Sequence, residues 1–245
     1  MSKRGASATI DAATFREAIS DLIGIAATDT AQFGVAVSGG PDSLALLLLA
    51  SAALPGRVKA ATVDHGLRTA SSAEATHVAG LCRELDVEHQ ILALDEPITG
   101  SIQASARTAR YAALDAWRRA NGVDWLMTAH HADDQLETML MRLNRSSGVA
   151  GLAGIRRRNG FTLRPLLAVR RDSLASLVAD HGWTAIDDPS NHDNRFDRVR
   201  MRQALARTDW LNPGAAAAGA DALADADAAL HWVTTRLIAE RSPLA

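Results

Sequence analysis

The chain has 245 residues, 47% of them hydrophobic and 22% charged, with a net charge of -2 and a single cysteine. That length suits one large α/β domain, or one domain with a small appendage, and the lone Cys82 excludes an intrachain disulfide framework, a multi-cysteine zinc knot and a cluster held by this chain's own thiolates. No apolar run is long enough to cross a bilayer, and the opening "MSKRGASATIDAATFREAI" lacks the apolar core of a secretory signal, so the expected compartment is the cytoplasm.

Residues 11–28 have the periodicity of one amphipathic helix. "FGVAV" at 33–37 is short, apolar and bounded by glycines, which reads as a buried strand. Alternation continues with helix 42–54, strand 58–64, helix 71–86, strand 87–94, helix 102–120, strand 124–130 and helix 133–144. Strands separated by helical stretches pair in parallel through right-handed crossovers, so the expected fold class is α/β, a doubly wound and mostly parallel sheet. Beyond residue 145 the pattern breaks, and "RSSGVAGLAGIRRRNGF" reads as loop and turn. Helices are expected at Arg171 to His181 and at Asp197 to Leu211. After Pro213 an alanine-rich stretch reads as one helix on which Leu223, Leu230, Val233 and Leu237 share a face.

Ligands of such sheets sit beyond the carboxyl ends of the strands. That rule singles out "SGGPDS", "DHGLR", the turn after Leu94 and "HHADDQLET". "SGGPDS" (Ser38, Gly39, Gly40, Pro41, Asp42, Ser43) joins a strand to a helix whose free N–H groups and positive dipole end attract an anion, with phosphate the natural guest. It is not a Walker A loop, because the only lysines, Lys3 and Lys59, are elsewhere. Arginine, or a metal held by carboxylates, must then neutralise the phosphates. Asp134, which opens the helix after the fourth strand, faces the same edge as Asp42, and two carboxylates beside phosphates suit Mg²⁺. His130 and His131 have an alternative reading as zinc ligands, but they better fit orienting the loop or touching a nucleotide.

The charge is unevenly spread. Residues 142–207 hold 13 basic against 6 acidic side chains, a net +7 in an otherwise acidic chain, and every basic residue of that block is arginine. Such a block is either a solvated face or a polyanion-binding surface, and arginine favours bidentate contact with phosphate. In "SARTARY", Arg107, Arg110 and Tyr111 share one helical face, to be read either as solvated charge or as a phosphate contact. "DDPSNHDNRFDRVRMR" passes through a proline turn to Arg198, Arg200 and Arg202, where a helix start would bring guanidiniums toward a ligand.

In order over about residues 33–202, "SGGPDSLAL", "VDHGLR", "ARTARY", "TAHHADDQLETMLMRL", "SSGVAGLAGI", "RPLL" and "DPSN" followed by "RVRMR" resemble the PP-loop ATP pyrophosphatase superfamily, and within it the tRNA(Ile)-lysidine synthetase family. The resemblance implies an enzyme that uses ATP to adenylate the C2 oxygen of the wobble cytidine in a tRNA(Ile) with a CAU anticodon, after which free L-lysine displaces AMP to form lysidine. It implies catalytic roles for Asp42, Asp134 and Arg198, with Mg²⁺ on the two aspartates. ATP contacts are implied for Ser38 to Ser43 together with Asp64 and His65. Substrate or tRNA contacts are implied for Arg107, Arg110, His130, His131, Arg156, Arg157, Arg158 and Arg202. Residues 1–210 would form the PP-loop catalytic domain, and 211–245 a helical extension or the start of a C-terminal domain. The sequence departs from the family at two places, with Ser146 where glycine is usual and Val199 where asparagine is usual. Other readings of the same loop are tRNA thiolation, which usually needs cysteines this chain lacks; amidation of an adenylated small acid, which leaves the arginine block unexplained; and a nucleotide- or RNA-binding module without ligase activity.

Overall fold

The structure is a computed structural model and describes residues 10–64, 69–94, 102–186 and 197–241. Its centre is a six-stranded sheet in the order β3-β2-β1-β4-β6-β5. The strands are β1 (Phe33–Ala36), β2 (Val58–Asp64), β3 (Glu88–Ala93), β4 (Trp125–Met127), β5 (Arg158–Asn159) and β6 (Thr162–Leu163). All neighbours pair in parallel except β5 and β6. β1 is flanked on both sides, with Phe33 beside Val58 and Trp125, and all four of its residues are buried, as its uninterrupted apolar run requires.

The helices are α1 (Ala12–Ile23), α2 (Ile25–Thr30), α3 (Pro41–Ala53), α4 (Thr69–Glu84), α5 (Ile102–Ala120), α6 (Ala132–Leu143), α7 (Val149–Leu152), α8 (Arg171–Asp180), α9 (Asp197–Leu205) and α10 (Pro213–Arg241). α3 is apolar on every side and lies in the main core, where Leu44, Leu46 and Leu47 meet Phe15 and Ile19 of α1, Val78 of α4 and Leu174 of α8. Cutting any of those leucines to alanine costs about 2–5 kcal/mol. The smaller core holds Leu114 and Trp117 of α5 against Ala36, Ala61 and Leu126, so helices sandwich the sheet.

Several boundaries differ from the sequence expectation, each for a local reason. The helix expected over 11–28 is two helices, because Gly24 takes φ 86°, a conformation open to glycine that no helix continues through. The helix expected to reach Leu211 ends at Leu205, and Thr208 turns its hydroxyl onto the Ala204 carbonyl instead of extending the ladder. The stretch read as loop and turn contains α7 and β5, and β6 follows it directly, so the hairpin adds two strands to the sheet. Each of those strands is two residues long, too short for any periodicity to register.

α10 starts as expected at Pro213, where Asn212 Oδ1 accepts from the Gly214 and Ala215 amides. Pro213, Ala217 and Ala220 are its buried residues, while of the four residues expected to share a face Leu223 is half-buried and Leu230, Val233 and Leu237 are exposed. Ser146, where the family has glycine, sits at φ 55°, the left-handed region that disfavours a side chain. Val199 is buried on α9.

Candidate active site

A cavity of about 480 Å³ opens beyond the carboxyl ends of β1 and β4, and every wall traces to a motif in the sequence. Ser38, Gly40, Asp42 and Ser43 form one side. The turn is tied internally: Ser43 Oγ donates to the Gly40 carbonyl at 2.9 Å and accepts from the Ser38 amide at 3.1 Å. Gly39 takes φ 84°, which lets the chain reverse, and Pro41 sits at the first turn of α3, so the helix points its free amides toward the cavity.

The opposite wall is the start of α6. His131 caps this helix: its Nδ1 accepts from the Asp134 amide (3.3 Å) while Asp134 Oδ2 accepts from the His131 amide (3.2 Å). The His131 ring is 2% exposed, and its Nε2 lies 3.4 Å from Asp42 Oδ2 and 3.5 Å from Asp134 Oδ2. Burial works against its charge, but the bond to Asp42 and the charges of Asp134, Asp42 and Asp133 outweigh it, and the histidine is held above its ordinary value. One imidazole thus bridges the two carboxylates expected to bind metal. Asp42 Oδ1 is buried with no hydrogen-bond partner. That free oxygen, on the same side of the cavity as Asp134, is what a hard cation taking few protein ligands requires. Both ring nitrogens of His131 are engaged within the chain, Nδ1 by the Asp134 amide and Nε2 by the two carboxylates, which argues against its reading as a zinc ligand.

Glu137 explains how the arginines arrive, and sequence reasoning assigned it no role. Its side chain is 2% exposed and accepts from Arg198 Nε at 3.0 Å and Arg202 Nε at 2.9 Å. Arg198 Nη2 also donates to Asp134 Oδ1 at 3.3 Å. A buried carboxylate needs compensation, and two guanidiniums supply it while being aimed at the cavity. The signal was present in the sequence, since Glu137 follows Asp134 by three residues and therefore shares its helical face.

Arg107, Arg110, Tyr111 and His130 line the remaining wall. The Arg107 guanidinium lies 5.3 Å from the Tyr111 ring centre. Burial, reinforced by the charges of Arg164, Arg107, Arg198 and Arg110, pushes His130 down to about 3. A histidine that weakly basic is neutral at physiological pH, so it serves through hydrogen bonds, such as the 3.0 Å one between its Nδ1 and Thr128 Oγ1, and not by taking up a proton. Burial likewise lowers Arg110.

Other expected residues stand elsewhere. Asp64 ends β2, its carbonyl accepting from the Leu94 amide, and is not among the residues lining the cavity; His65 and the "DPSN" turn lie outside the described residues. Arg156, Arg157 and Arg158 do not line it either. Arg156 pairs with Asp227 of α10, and Arg158 lies 4.6 Å over the Trp125 ring at the amino end of β4 and donates to the Leu22 carbonyl. A second cavity of about 320 Å³ shares Arg202 with the first and is bordered by Asp133, Glu137, Arg170 and Arg171.

The model of the PP-loop domain family matches residues 10–208. The chain is 50% identical over 210 residues to the tRNA(Ile)-lysidine synthase of Novosphingobium aromaticivorans, covering 83% of this chain and 64% of that protein. It is 42% identical over 237 residues to the synthase of the same name from Zymomonas mobilis, covering 93% and 71%. The chain therefore spans about two thirds of the length of these relatives. Among solved structures, the U34-tRNA thiolase NcsA from Methanococcus maripaludis with its [4Fe-4S] cluster superposes with a TM-score of 0.68 at 17% identity, covering 85% of this chain and 77% of that one, a likeness of fold. With a PP-loop domain over most of its length and relatives of one name at this identity, the chain belongs to the tRNA(Ile)-lysidine synthase family.

Proposed function

We propose that the chain acts in the cytoplasm as an ATP-dependent ligase, joining lysine to C2 of the wobble cytidine of a tRNA(Ile) with a CAU anticodon through an adenylated cytidine. The observation that carries this reading is the convergence of the "SGGPDS" loop, two carboxylates and four arginines on one cavity. Residues 1–210 are read as the catalytic unit and 211–245 as an extension of it.

Adenylation is an in-line attack of the cytidine C2 oxygen on the α-phosphorus, with the bond to pyrophosphate breaking. Such a step asks for positioning and charge compensation more than for a protein nucleophile. The loop amides and the amino end of α3 hold the pyrophosphate. Arg198, braced on Glu137 and Asp134, holds the α-phosphate as charge builds, with Arg202 beside it. Asp42 and Asp134 are the residues that would hold Mg²⁺, which when bound neutralises phosphate charge. Arg107 and Arg110 extend the positive wall toward the tRNA. In the second step the lysine amine attacks C2, AMP leaves with the C–O electron pair, and the amine loses a proton. The second cavity, bordered by both carboxylates and guanidiniums, offers each charge of an amino acid a partner.

Sulfur transfer is the weaker reading, because Cys82 is buried and burial pushes its thiol up to about 12, which denies it a thiolate. Incubation with ATP, magnesium, lysine and unmodified tRNA decides the matter. Lysine-dependent AMP release, with lysidine among the digested nucleosides, is expected; AMP release indifferent to lysine, or an unmodified wobble cytidine, contradicts the assignment.

A further inference from the structure

After α8 the chain turns at Gly182 and runs back across α4 to the anion loop. Trp183 Nε1 donates to Glu84 Oε2 at 3.0 Å, and a His77 ring nitrogen lies 3.1 Å from the Thr184 carbonyl. Ile186 then meets the loop in two ways. Its amide donates to the Gly39 carbonyl at 2.9 Å. Its side chain fills the space in front of the Gly39 Cα, where an added Cβ would stand 2.3 Å from Ile186 Cδ1 and 3.3 Å from Val78 Cγ2. Ile186 is not among the residues lining the cavity.

In a trans peptide the carbonyl and the following N–H point to opposite sides. Anchoring the Gly39 carbonyl on Ile186 therefore turns the Gly40 N–H away from residues 183–186, and Gly40 is a cavity wall. A peptide between two glycines has many alternative orientations, so an outside anchor is needed to select one. We propose that Ile186 is a positioning residue that orients the Gly39–Gly40 peptide, so that the Gly40 amide faces a phosphate of the bound nucleotide. This rests on reading the loop as the phosphate cradle. The amide supplies the anchor, and the side chain closes off the space into which the peptide would otherwise swing.

Calorimetric titration of the full chain with Mg-ATP, inorganic pyrophosphate and adenosine tests this, using Ile186→Val, Ile186→Ala and Ile186→Pro. Proline removes the donor, and affinity for both ATP and pyrophosphate is expected to fall about tenfold, the upper range for one lost hydrogen bond. Alanine keeps the donor and loses the packing, for a fall of about threefold, and valine restores wild-type binding. Adenosine affinity stays constant throughout, which a general structural role would not produce. Should proline prevent folding, the alanine and valine variants decide the question. Unchanged pyrophosphate affinity in the folded alanine variant, or an equal loss for adenosine, overturns the proposal. A wild-type chain that binds neither ATP nor pyrophosphate overturns the cradle reading and this role with it.

Discussion

Arg198 and Arg202 reach the cavity with their guanidiniums seated on a carboxylate that is 2% exposed, whereas Arg156 and Arg158, from the same basic block, are engaged by the chain itself. One pair is held at the cavity wall by a buried anion. The other closes contacts with α10, α1 and β4. Net charge over a stretch is a property of composition, but what a phosphate meets is the charge that remains after intrachain pairing. The +7 block therefore overstates the surface offered to a nucleic acid and understates how firmly two of its members are oriented.

The sharpest test of the cavity side removes the groups its arginines surround. Asp42→Asn and Asp134→Asn keep shape and lose charge, and each is expected to lower magnesium-dependent AMP formation by about 10³-fold or more, with the circular dichroism spectrum intact. Wild-type turnover in either variant would place the metal elsewhere.

Next in size is the arginine clamp. Arg198→Ala is expected to cut kcat by about 10²-fold at saturating tRNA. Glu137→Gln leaves both arginines present but untethered, so it should lower kcat by about tenfold and stability by roughly 1–2 kcal/mol, reduced from the value for a fully buried pair because the arginines are partly exposed. If Glu137→Gln loses stability and keeps full turnover, the brace is structural only.

Acid titration probes the burial of His130 and the positive charge around it. The His130 value is depressed in the folded chain, so on acidification the unfolded chain takes up this proton first, as pH falls past 6.5. The stability tied to His130 is thus fully present above that pH and is lost on the way down toward 3. His130→Asn should remove about 2 kcal/mol of the stability difference between pH 7 and pH 4.5, allowing for partial exposure, as read by urea unfolding at each pH. Equal acid sensitivity in variant and wild type would mean that burial and the arginine charges do not depress the ring.

The other arm of the comparison predicts a smaller effect. Replacing Arg156, Arg157 and Arg158 with glutamine should flatten the salt dependence of tRNA affinity by at most about one unit, not three, because two of the three side chains already have partners within the chain. A loss near three units would erase the distinction between the groups. The smallest effect lies ahead of both groups in the chain: Ser146→Gly should stabilise by about 0.5–1 kcal/mol, raising the thermal midpoint by roughly 1–4 °C without altering turnover.

The alternation of strands and helices was readable from apolar periodicity, and with it the edge where the site forms, since a parallel sheet leaves little choice. That Ser38, Gly40, Asp42, Ser43 and Asp134 line this cavity was readable for the same reason, each standing at the end of a strand or the start of a helix, whereas Arg198 was singled out by the family resemblance and an expected helix start. What escaped depends on distance in space. Glu137 looked like one more polar residue of an amphipathic helix until α9 laid two arginines on it. Ile186 carries no chemical signature, and only its approach to Gly39 gives it a role. The β5–β6 hairpin consists of strands too short for a pattern, and they persist because β4 stands ready to pair with β6.

The position of β1 in the sheet bears on the order in which this protein can be made. β1 needs β2 on one side and β4 on the other, and the Gln32 amide that donates to Asp124 waits for a partner 92 residues further along. During vectorial synthesis, at about 5–20 residues per second, "LALLLLASAA" of α3 leaves the ribosome after α1 and β1 but well before α8, whose Leu174 and Val178 join the same core. Residues 198–202 follow only after a further interval, on the order of ten seconds after α3. The nascent protein therefore passes through a window in which its most apolar helix is only partly covered and the cavity is not yet complete, and exposed apolar surface of that kind favours aggregation.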